Sequence, residues 1–206
     1  LRDFDGVTEL ASSSFMMVVN AAVPAATLRE LIALARAKPD LLNYGSSGTG
    51  GPSHLSMELF KAATGINAQH VPYKGSGPAV TELAAGHIHM MFTGLSTAHQ
   101  LMQMGKVRAL AIGRLKRLPA APEIPTIDES YKGLVLEAWY AAFAPPGTPP
   151  DLVQKMNEAF KKAMGDKMLQ DNFTKGSLEL VGGTPEAKTS KPAPSGSQRR
   201  IAPVCG

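Results

Sequence analysis

Cysteine is almost absent from this 206-residue chain, and its excess of positive charge is confined to one end. The one cysteine, Cys205, has no partner for an internal disulfide. The net formal charge of +4 equals the charge of the last nineteen residues, which contain no acid and four basic residues: Lys188, Lys191, Arg199 and Arg200. Residues 1–187 are therefore neutral, and a nucleic-acid partner is not predicted.

Long apolar runs are missing as well. A membrane-spanning helix needs about 18–20 mainly apolar residues, whereas the densest apolar stretches, FMMVV and WYAAFA, have the length of β-strands. The first residues, LRDFDGVTEL, lack the basic and then apolar pattern of a secretory leader and read like the interior of a longer protein. Apolar residues make up 44% of the chain and charged residues 18%, which is typical of a globular protein.

What the chain does contain is a repeated order of short apolar strands, glycine-rich loops and amphipathic helices. Strands are predicted at 14–20, 41–45, 68–73, 88–92, 107–112 and 134–144. Helices are predicted to start at Thr27 and Ser96 as N-caps, and at Pro52, Pro78 and the prolines before Asp151 as first residues. This alternation predicts an α/β fold with a mostly parallel sheet.

Two further expectations concern particular segments. The buried face of the helix that starts at Pro52 is expected at Leu55, Leu59, Ala62 and Ala63, which recur at helical spacing. Residues 186–206 show no periodicity and are rich in proline, serine and basic residues, so a disordered tail is predicted there.

The glycine loop YGSSGTGGPSH comes close to three enzyme motifs and misses each by one residue. Gly51 stands where a Walker A loop needs lysine, Ser53 where a dinucleotide fingerprint needs glycine, and Thr49 where a nucleophile elbow needs glycine. An α/β hydrolase-like enzyme with Ser47 or Ser46 as nucleophile, and His54 or His70 as base, remains the alternative hypothesis. It lacks an acid at a recognisable spacing to orient the base.

The same loop suits an anion. A strand, a glycine loop and a helix together present free N–H groups at the helix N-terminus, and Ser46, Ser47 and Thr49 add hydroxyl donors. A second loop of this kind follows in YKGSGPA. A metal site at His87 and His89, which would share one face of a strand, is disfavoured because no cysteine or acid cluster joins them.

Several stretches together resemble the Bug family, the extracytoplasmic solute receptors of tripartite tricarboxylate transporters. They are YGSSGTGGPSHL, VPYKGSGPAVTELAAGHI, GKVRALAI, EIPTIDES and WYAAFAPPGTP, and they extend in family order from about Asp3 to about Pro185. The resemblance implies an α/β fold like a type II periplasmic binding protein (a Venus flytrap). It also implies a periplasmic location, a monomeric state, no enzymatic activity, and no cofactor or metal.

The resemblance further implies a small carboxylate ligand: a di- or tricarboxylate, an acidic amino acid or an aromatic acid. The complete receptor would close on it and deliver it to membrane permease subunits. Backbone amides and hydroxyls of the two loops would hold it. The implied ligand-binding residues are Ser46, Ser47, Gly48, Thr49, Gly50, Gly51, Lys74, Gly75, Ser76, Gly77, Ala79 and Thr93.

The chain departs from the family pattern at single positions and at its ends. Family members commonly have Ser or Thr in place of Gly51, Asp in place of His89, and often Asp in place of Thr93. A family segment with a Pro-Gly-Gly loop before DFxxVT is expected to be missing. Residues 1–13 and 138–185 are then expected to be remnants of a first domain with exposed apolar surface, and residues 14–137 a nearly complete second domain, with Trp139 on the hinge side.

Overall fold

A computed structural model describes residues 3–39, 41–119, 121–175 and 178–185. The predicted disordered tail, 186–206, lies outside them. The structure has eight strands and six helices in these ranges, in this order: β1 Asp5–Ser14, β2 Met16–Asn20, α1 Leu28–Ala37, β3 Asn43–Ser46, α2 Pro52–Thr64, β4 Gln69–Pro72, α3 Ser76–Ala85, β5 Met90–Thr93, α4 Leu95–Gln103, β6 Val107–Ile112, β7 Glu137–Ala144, α5 Pro150–Met164, α6 Lys167–Lys175 and β8 Leu178–Leu180.

The larger sheet has five strands in the order β4-β3-β5-β2-β6. β3 pairs in parallel with both β4 and β5, whereas β2 pairs antiparallel with both β5 and β6. Four strands therefore run in one direction, as predicted, and β2 alone runs against them. β2 enters this sheet directly from β1 of the smaller sheet, with no helix between the two strands.

Helices cover both faces of the larger sheet, which confirms the α/β class. α1 and α2 pack on one face, where their core residues include Leu31 and Phe60. α3 and α4 pack on the other, where Leu83 and Ala98 are fully buried. Side chains of β2 alternate between these two cores, so all five of its residues are buried.

The predicted buried face of α2 is wrong. Leu55 is 53% exposed and Leu59 37% exposed. The helix instead buries a second set of residues at helical spacing: Ser53, Ser56, Met57, Phe60 and Thr64. Two of these are serines, which do not stand out in a pattern of apolar residues, although Ser53 turns inward to bond the glycine loop.

The smaller sheet has three strands in the order β7-β1-β8, all antiparallel. It departs from the expectation of mostly parallel strands, because no helix connects neighbouring strands in one direction here. α5 packs on β1 around Val7, Ala144 and Val153. Several large apolar side chains on this part of the chain are at least 46% exposed: Phe4, Trp139, Tyr140, Leu152, Met168 and Val181.

The chain passes between the two sheets at Phe15 and again just before Glu137, and Gly113 joins the two crossings. The Gly113 N–H donates to the Phe15 carbonyl at 2.8 Å, and the Leu136 N–H donates to the Gly113 carbonyl at 2.8 Å. A Cβ at Gly113 would lie 2.6 Å from the Leu136 carbonyl oxygen. Only glycine therefore fits at this contact.

Among the described residues, no helix combines the length and apolar character that crossing a membrane requires.

Candidate functional site at the carboxyl edge of the larger sheet

Three helices start at one edge of the larger sheet without a capping side chain. β3, β4 and β5 are parallel and end at the same edge, and α2, α3 and α4 follow them. Their N-caps are Gly51, Gly75 and Gly94; none makes a side-chain cap bond, and no acid lies in any first turn. In contrast, α1 has Thr27 as a bonded N-cap and Glu30 in its first turn.

These three helix starts make the edge of the sheet electrostatically favourable for negative charge. The first N–H groups of a helix have no intrahelical partner, and the helix dipole makes its N-terminus favourable for negative charge. Three such ends at one edge reinforce each other, and the carboxyl ends of strands in open α/β sheets are where ligands bind. The edge is therefore suited to an anion.

The first predicted residue, Ser46, lies in the interior of the protein rather than on its surface. It is fully buried at the end of β3. Its hydroxyl lies 2.7 Å from His70 Nε2, accepts a bond from the Gly48 N–H at 3.2 Å, and lies 3.2 Å from the Gly48 carbonyl oxygen. The structure thus places Ser46 where it shapes the loop.

The rest of the first loop is also internally bonded. The Ser47 N–H donates to the Ser53 hydroxyl at 3.0 Å, and the two serine hydroxyls are 2.9 Å apart. The Gly50 N–H donates to His54 Nδ1 at 3.0 Å. Thr49 is exposed, and no bond of its hydroxyl is formed within the described part of the chain. Thr49 therefore provides the accessible hydroxyl of this loop, whereas Pro52, the first residue of α2, has no N–H to donate.

The second predicted loop follows β4. Lys74 is exposed, and Gly75 has a φ of +126°, a conformation that glycine adopts readily. Ser76 and Gly77 are the first two residues of α3, so the predicted helix start at Pro78 is two residues late. The side chain of Ala79 is fully buried in the core, so it faces away from the edge.

Thr93, the last predicted residue, ends β5 directly before the N-cap of α4. It is 1% exposed, and its hydroxyl has no hydrogen-bond partner among the described residues. The helix after it starts at Leu95, with Gly94 as N-cap instead of the predicted Ser96. A buried hydroxyl without a hydrogen-bond partner is unusual in a folded protein, and this one lies where β5 ends at the carboxyl edge of the sheet.

A cluster of aromatic and ionisable side chains, which the sequence patterns did not reveal, lies under the first loop. Tyr44, His70 and His54 stack in that order, with ring centroids 4.9 and 4.1 Å apart. The Tyr44 hydroxyl donates to Glu58 at 2.5 Å, and Lys61 donates to the same oxygen at 2.8 Å. His54 lies in α2 and His70 in β4, 16 positions apart in the chain, so their stacking could not be predicted from spacing.

This cluster shifts the pKa values of its members. Burial and the bond to Glu58 raise the pKa of Tyr44 well above its usual value. Burial alone would raise the pKa of Glu58, but the hydrogen bonds from Lys61 and Tyr44 bring it below its usual value. Burial lowers the pKa of His70, and the nearby charge of His54 acts in the same direction. His70 is therefore a neutral imidazole at neutral pH.

Comparison with known proteins identifies the family. A family model described as "Tripartite tricarboxylate transporter family receptor" (TctC) matches residues 1–191. This chain belongs to the TctC family. The TctC chain is 34% identical over 187 residues to a UPF0065 protein from the tcbD-tcbE intergenic region of Pseudomonas sp. (strain P51), and 30% identical over 187 residues to protein BugT of Bordetella pertussis.

Solved structures of related proteins have the same fold. The TctC chain matches R. palustris Rpa4515 with adipate at a TM-score of 0.77 and 34% identity, covering 89% of this chain and 62% of that one. It matches the periplasmic binding protein BugD at 0.77 and 28%, covering 88% and 61%. It matches MatC from Rhodopseudomonas palustris with bound malate at 0.76 and 28%, covering 86% and 60%.

The TctC chain spans only part of these relatives. The match covers 90% of this chain in both curated relatives, but 56% of the Pseudomonas protein and 57% of BugT. The comparisons confirm the predicted family resemblance and the periplasmic-binding-protein fold, and they show that the related proteins are solute-binding proteins of the periplasm.

Ser47 of the TctC chain is not positioned as the nucleophile that the hydrolase hypothesis requires. The Ser47 hydroxyl bonds Ser53 and not a histidine. A serine–histidine pair does form between Ser46 and His70, but Ser46 is fully buried, and no acid bonds His70 within the described ranges. The geometry therefore favours a binding site over an acyl-transfer site.

The histidines predicted to share a strand face are separated. Both precede β5, which starts at Met90. His87 bonds Glu82 at 2.7 Å on the surface, whereas His89 is half-buried and bonds Asn43 at 2.7 Å. Among the residues that the structure describes, no three side chains of His, Cys, Asp or Glu are grouped to hold a metal ion.

Proposed function

We propose that this TctC-family chain is part of a periplasmic receptor that binds a small dicarboxylate at the carboxyl edge of the larger sheet. The observation that carries the proposal is the group of three helix starts at this edge, each with a glycine N-cap and no acid in its first turn. The unpaired hydroxyl of Thr93 lies at the same edge; it is buried, so a local movement that exposes it must accompany its donation to the ligand.

The ligand's carboxylate is held in this proposal by neutral donors. Hydrogen bonds to a charged group contribute about 1.5–3 kcal/mol each, so a few N–H and hydroxyl donors suffice for binding. Thr49, Ser76 and Thr93 provide hydroxyls, and the first turns that follow Gly51, Gly75 and Gly94 provide N–H groups. Lys74 is exposed beside them and adds a positive charge.

The remaining predicted residues have a supporting part. Ser46 and Ser47 fix the shape of the first loop through their internal bonds. Gly48 and Gly50 have positive φ values of 136° and 77°, which allow the loop to turn at the helix start. Gly77 is at the start of α3, and Ala79 anchors that helix in the core.

Related proteins support the class of ligand. One solved relative is described with adipate and another with bound malate, both of which are dicarboxylates. The family description names a receptor of a tripartite tricarboxylate transporter, so we infer that the complete protein delivers its ligand to the membrane subunits of such a transporter. We also propose that the receptor is monomeric and acts without a cofactor.

We further propose that the two sheets belong to two domains that close on the ligand. The chain changes sheets between Ser14 and Met16 and again between Ile112 and Glu137, close to the predicted boundaries at residues 14 and 137. The edge that carries the site lies at the side of the larger sheet where β1 leads into β2. A hinge there would bring a second surface over the ligand and exclude water.

Ligand-dependent thermal unfolding of the chain tests the proposal. A ligand that binds only the folded state stabilises it by about 2.7 kcal/mol at one hundred times its Kd. We expect malate and adipate to raise the melting temperature at constant ionic strength, and their diamides to have no effect. Ser76→Ala is expected to reduce the shift, whereas Thr174→Ala, whose hydroxyl bonds only its own helix, leaves it unchanged. Equal shifts with acids and diamides would contradict the proposal.

A further inference from the structure

Two imidazole rings, one from α2 and one from β4, contact the first glycine loop from beneath. His54 Nδ1 accepts a hydrogen bond from the Gly50 N–H at 3.0 Å. His70 Nε2 lies 2.7 Å from the Ser46 hydroxyl. The two rings are nearly parallel, 4.1 Å apart between centroids and 19° between planes. One stacked pair therefore contacts the loop at two places.

The bond to Gly50 fixes the protonation state of His54. A nitrogen that accepts a hydrogen bond carries no proton, so the ring is neutral with its hydrogen on Nε2. Protonation would place an N–H at Nδ1 directly opposite the Gly50 N–H. The bond would be lost and replaced by a repulsive contact between two donors.

His70 acts on the loop through Ser46. The Ser46 hydroxyl accepts from the Gly48 N–H at 3.2 Å, so the ring, the hydroxyl and the Gly48 backbone form one chain of bonds. Gly48 has a φ of +136°, and a Cβ there would lie 3.6 Å from the Tyr73 carbonyl oxygen. The bonds hold the backbone in a conformation that residues other than glycine rarely adopt.

The surroundings favour a neutral His70 at neutral pH. Burial lowers the pKa of His70; the charges of His54 and Lys61 act in the same direction, and Glu58 opposes them. Tyr44 covers the other face of His70 and donates its hydroxyl to Glu58. The two rings are in contact, so a positive charge on His54 lies directly against His70 and disfavours a second charge there.

We propose that His54 and His70 are positioning residues that hold the first glycine loop in its binding shape, and that protonation at His54 Nδ1 releases the loop. The effect on the loop follows from the contacts alone. The effect on affinity rests on the proposed function, because it requires that a carboxylate binds at this edge. In that case acidification lowers affinity even while the ligand remains ionised.

Amide-resolved NMR of the whole chain between pH 7.5 and 5.5 tests the effect on the loop. We expect the Gly48 and Gly50 amide signals to move together as the histidines titrate. His54→Asn keeps an acceptor oxygen near the position of Nδ1 but does not titrate, so the Gly50 signal should stay in place across this range. His54→Ala should displace it at every pH. His70→Gln keeps a polar atom near Nε2 and should retain the Gly48 signal.

His99→Ala is the matched control, because His99 is an exposed histidine of α4. It should reproduce the unaltered titration. A Gly50 signal that does not change with pH in the unaltered chain would overturn the proposal, as would an unchanged Gly50 signal in His54→Ala. The first of these measurements needs no substitution, so a variant that fails to fold does not prevent the test.

A second arm measures malate affinity in the same variants. We expect a loss of about tenfold in His54→Ala, the effect of misplacing one donor to a charged ligand, with recovery in His54→Asn. If the loop titrates as expected but malate does not bind, the positioning of the loop is supported and the proposed function fails. If malate binds equally well to His54→Ala, the positioning role is overturned and the proposed function stands.

Discussion

Replacing Thr93 by valine should make the protein more stable and weaken its binding of carboxylates. Thr93 ends β5 and is 1% exposed, and its hydroxyl bonds nothing among the described residues. Valine has nearly the same shape, with a methyl group in place of the hydroxyl. The substitution therefore removes one polar group and leaves the packing around it intact.

The two effects have opposite signs and comparable sizes. A buried polar group without a partner costs about 1–3 kcal/mol, so its removal should raise the free energy of unfolding by about 1 kcal/mol. A hydrogen bond to a carboxylate is worth about 1.5–3 kcal/mol, so its loss should raise the Kd about 10- to 150-fold. A residue that only supports the fold would not separate the two quantities in this way.

Urea unfolding followed by circular dichroism measures the first effect, and calorimetric titration with malate measures the second. Thr93→Ser is the control, because it keeps the hydroxyl and should retain more of the affinity than Thr93→Val does. A fall of more than about 1 kcal/mol in the free energy of unfolding of Thr93→Val would contradict this prediction, since it would show that the hydroxyl has a stabilising partner in the folded protein.

Three other predictions concern stability. Gly113→Ala should cost about 2–4 kcal/mol in urea unfolding, because its Cβ would overlap the backbone of the neighbouring crossing, whereas Gly77→Ala, with open space around its Cβ, should cost nothing. Burial lowers the pKa values of His70 and His89, so on acidification these histidines are protonated in the unfolded chain before they are protonated in the folded one. The free energy of unfolding should therefore be constant above about pH 7 and fall below about pH 6.5. A free energy of unfolding that stays constant down to pH 5.5 would contradict this. Thr27→Ala should cost about 1 kcal/mol by removing a helix cap, and an unchanged urea midpoint would show that the cap is not needed.

Local sequence rules predicted most elements of the fold because those rules depend on neighbours in the chain, but β1, β8 and α6 were not predicted. The predicted strands correspond to strands in the structure, with ends displaced by a few residues. Gly65 and Gly86 end their helices in the left-handed conformation, as expected of glycine at such positions. Thr27 caps α1, and its partner Glu30 reaches back to the Ala26 N–H.

The features that the sequence did not predict correctly depend on contacts between residues that are far apart in the chain. α2 has two stripes at helical spacing, and only the sheet decides that Met57 and Phe60 are buried while Leu55 and Leu59 are not. The reversed direction of β2 is not indicated by its own residues, because direction is set by how strands from distant parts of the chain pair. The starts of α3 and α4 were placed at Pro78 and Ser96, although a glycine two or three residues earlier is the N-cap in each case.

The candidate site shows the same division. Sequence spacing indicated the glycine loops and their hydroxyl residues, because loop and helix start are adjacent in the chain. It did not indicate that Ser46 and Ser47 are engaged in bonds within the loop, or that His54 and His70 stack beneath it. The convergence of three glycine-capped helices became visible only when the strand directions were known.

If an anion binds where α2, α3 and α4 begin, an amide-resolved NMR titration with malate should detect it at those helix starts. We expect the largest shifts at the amides of Thr49, Ser76, Leu95 and their neighbours, and none of these shifts with malate diamide. Shifts spread evenly over the surface, or centred on the basic side chains near Arg114 and Lys116, would contradict this expectation.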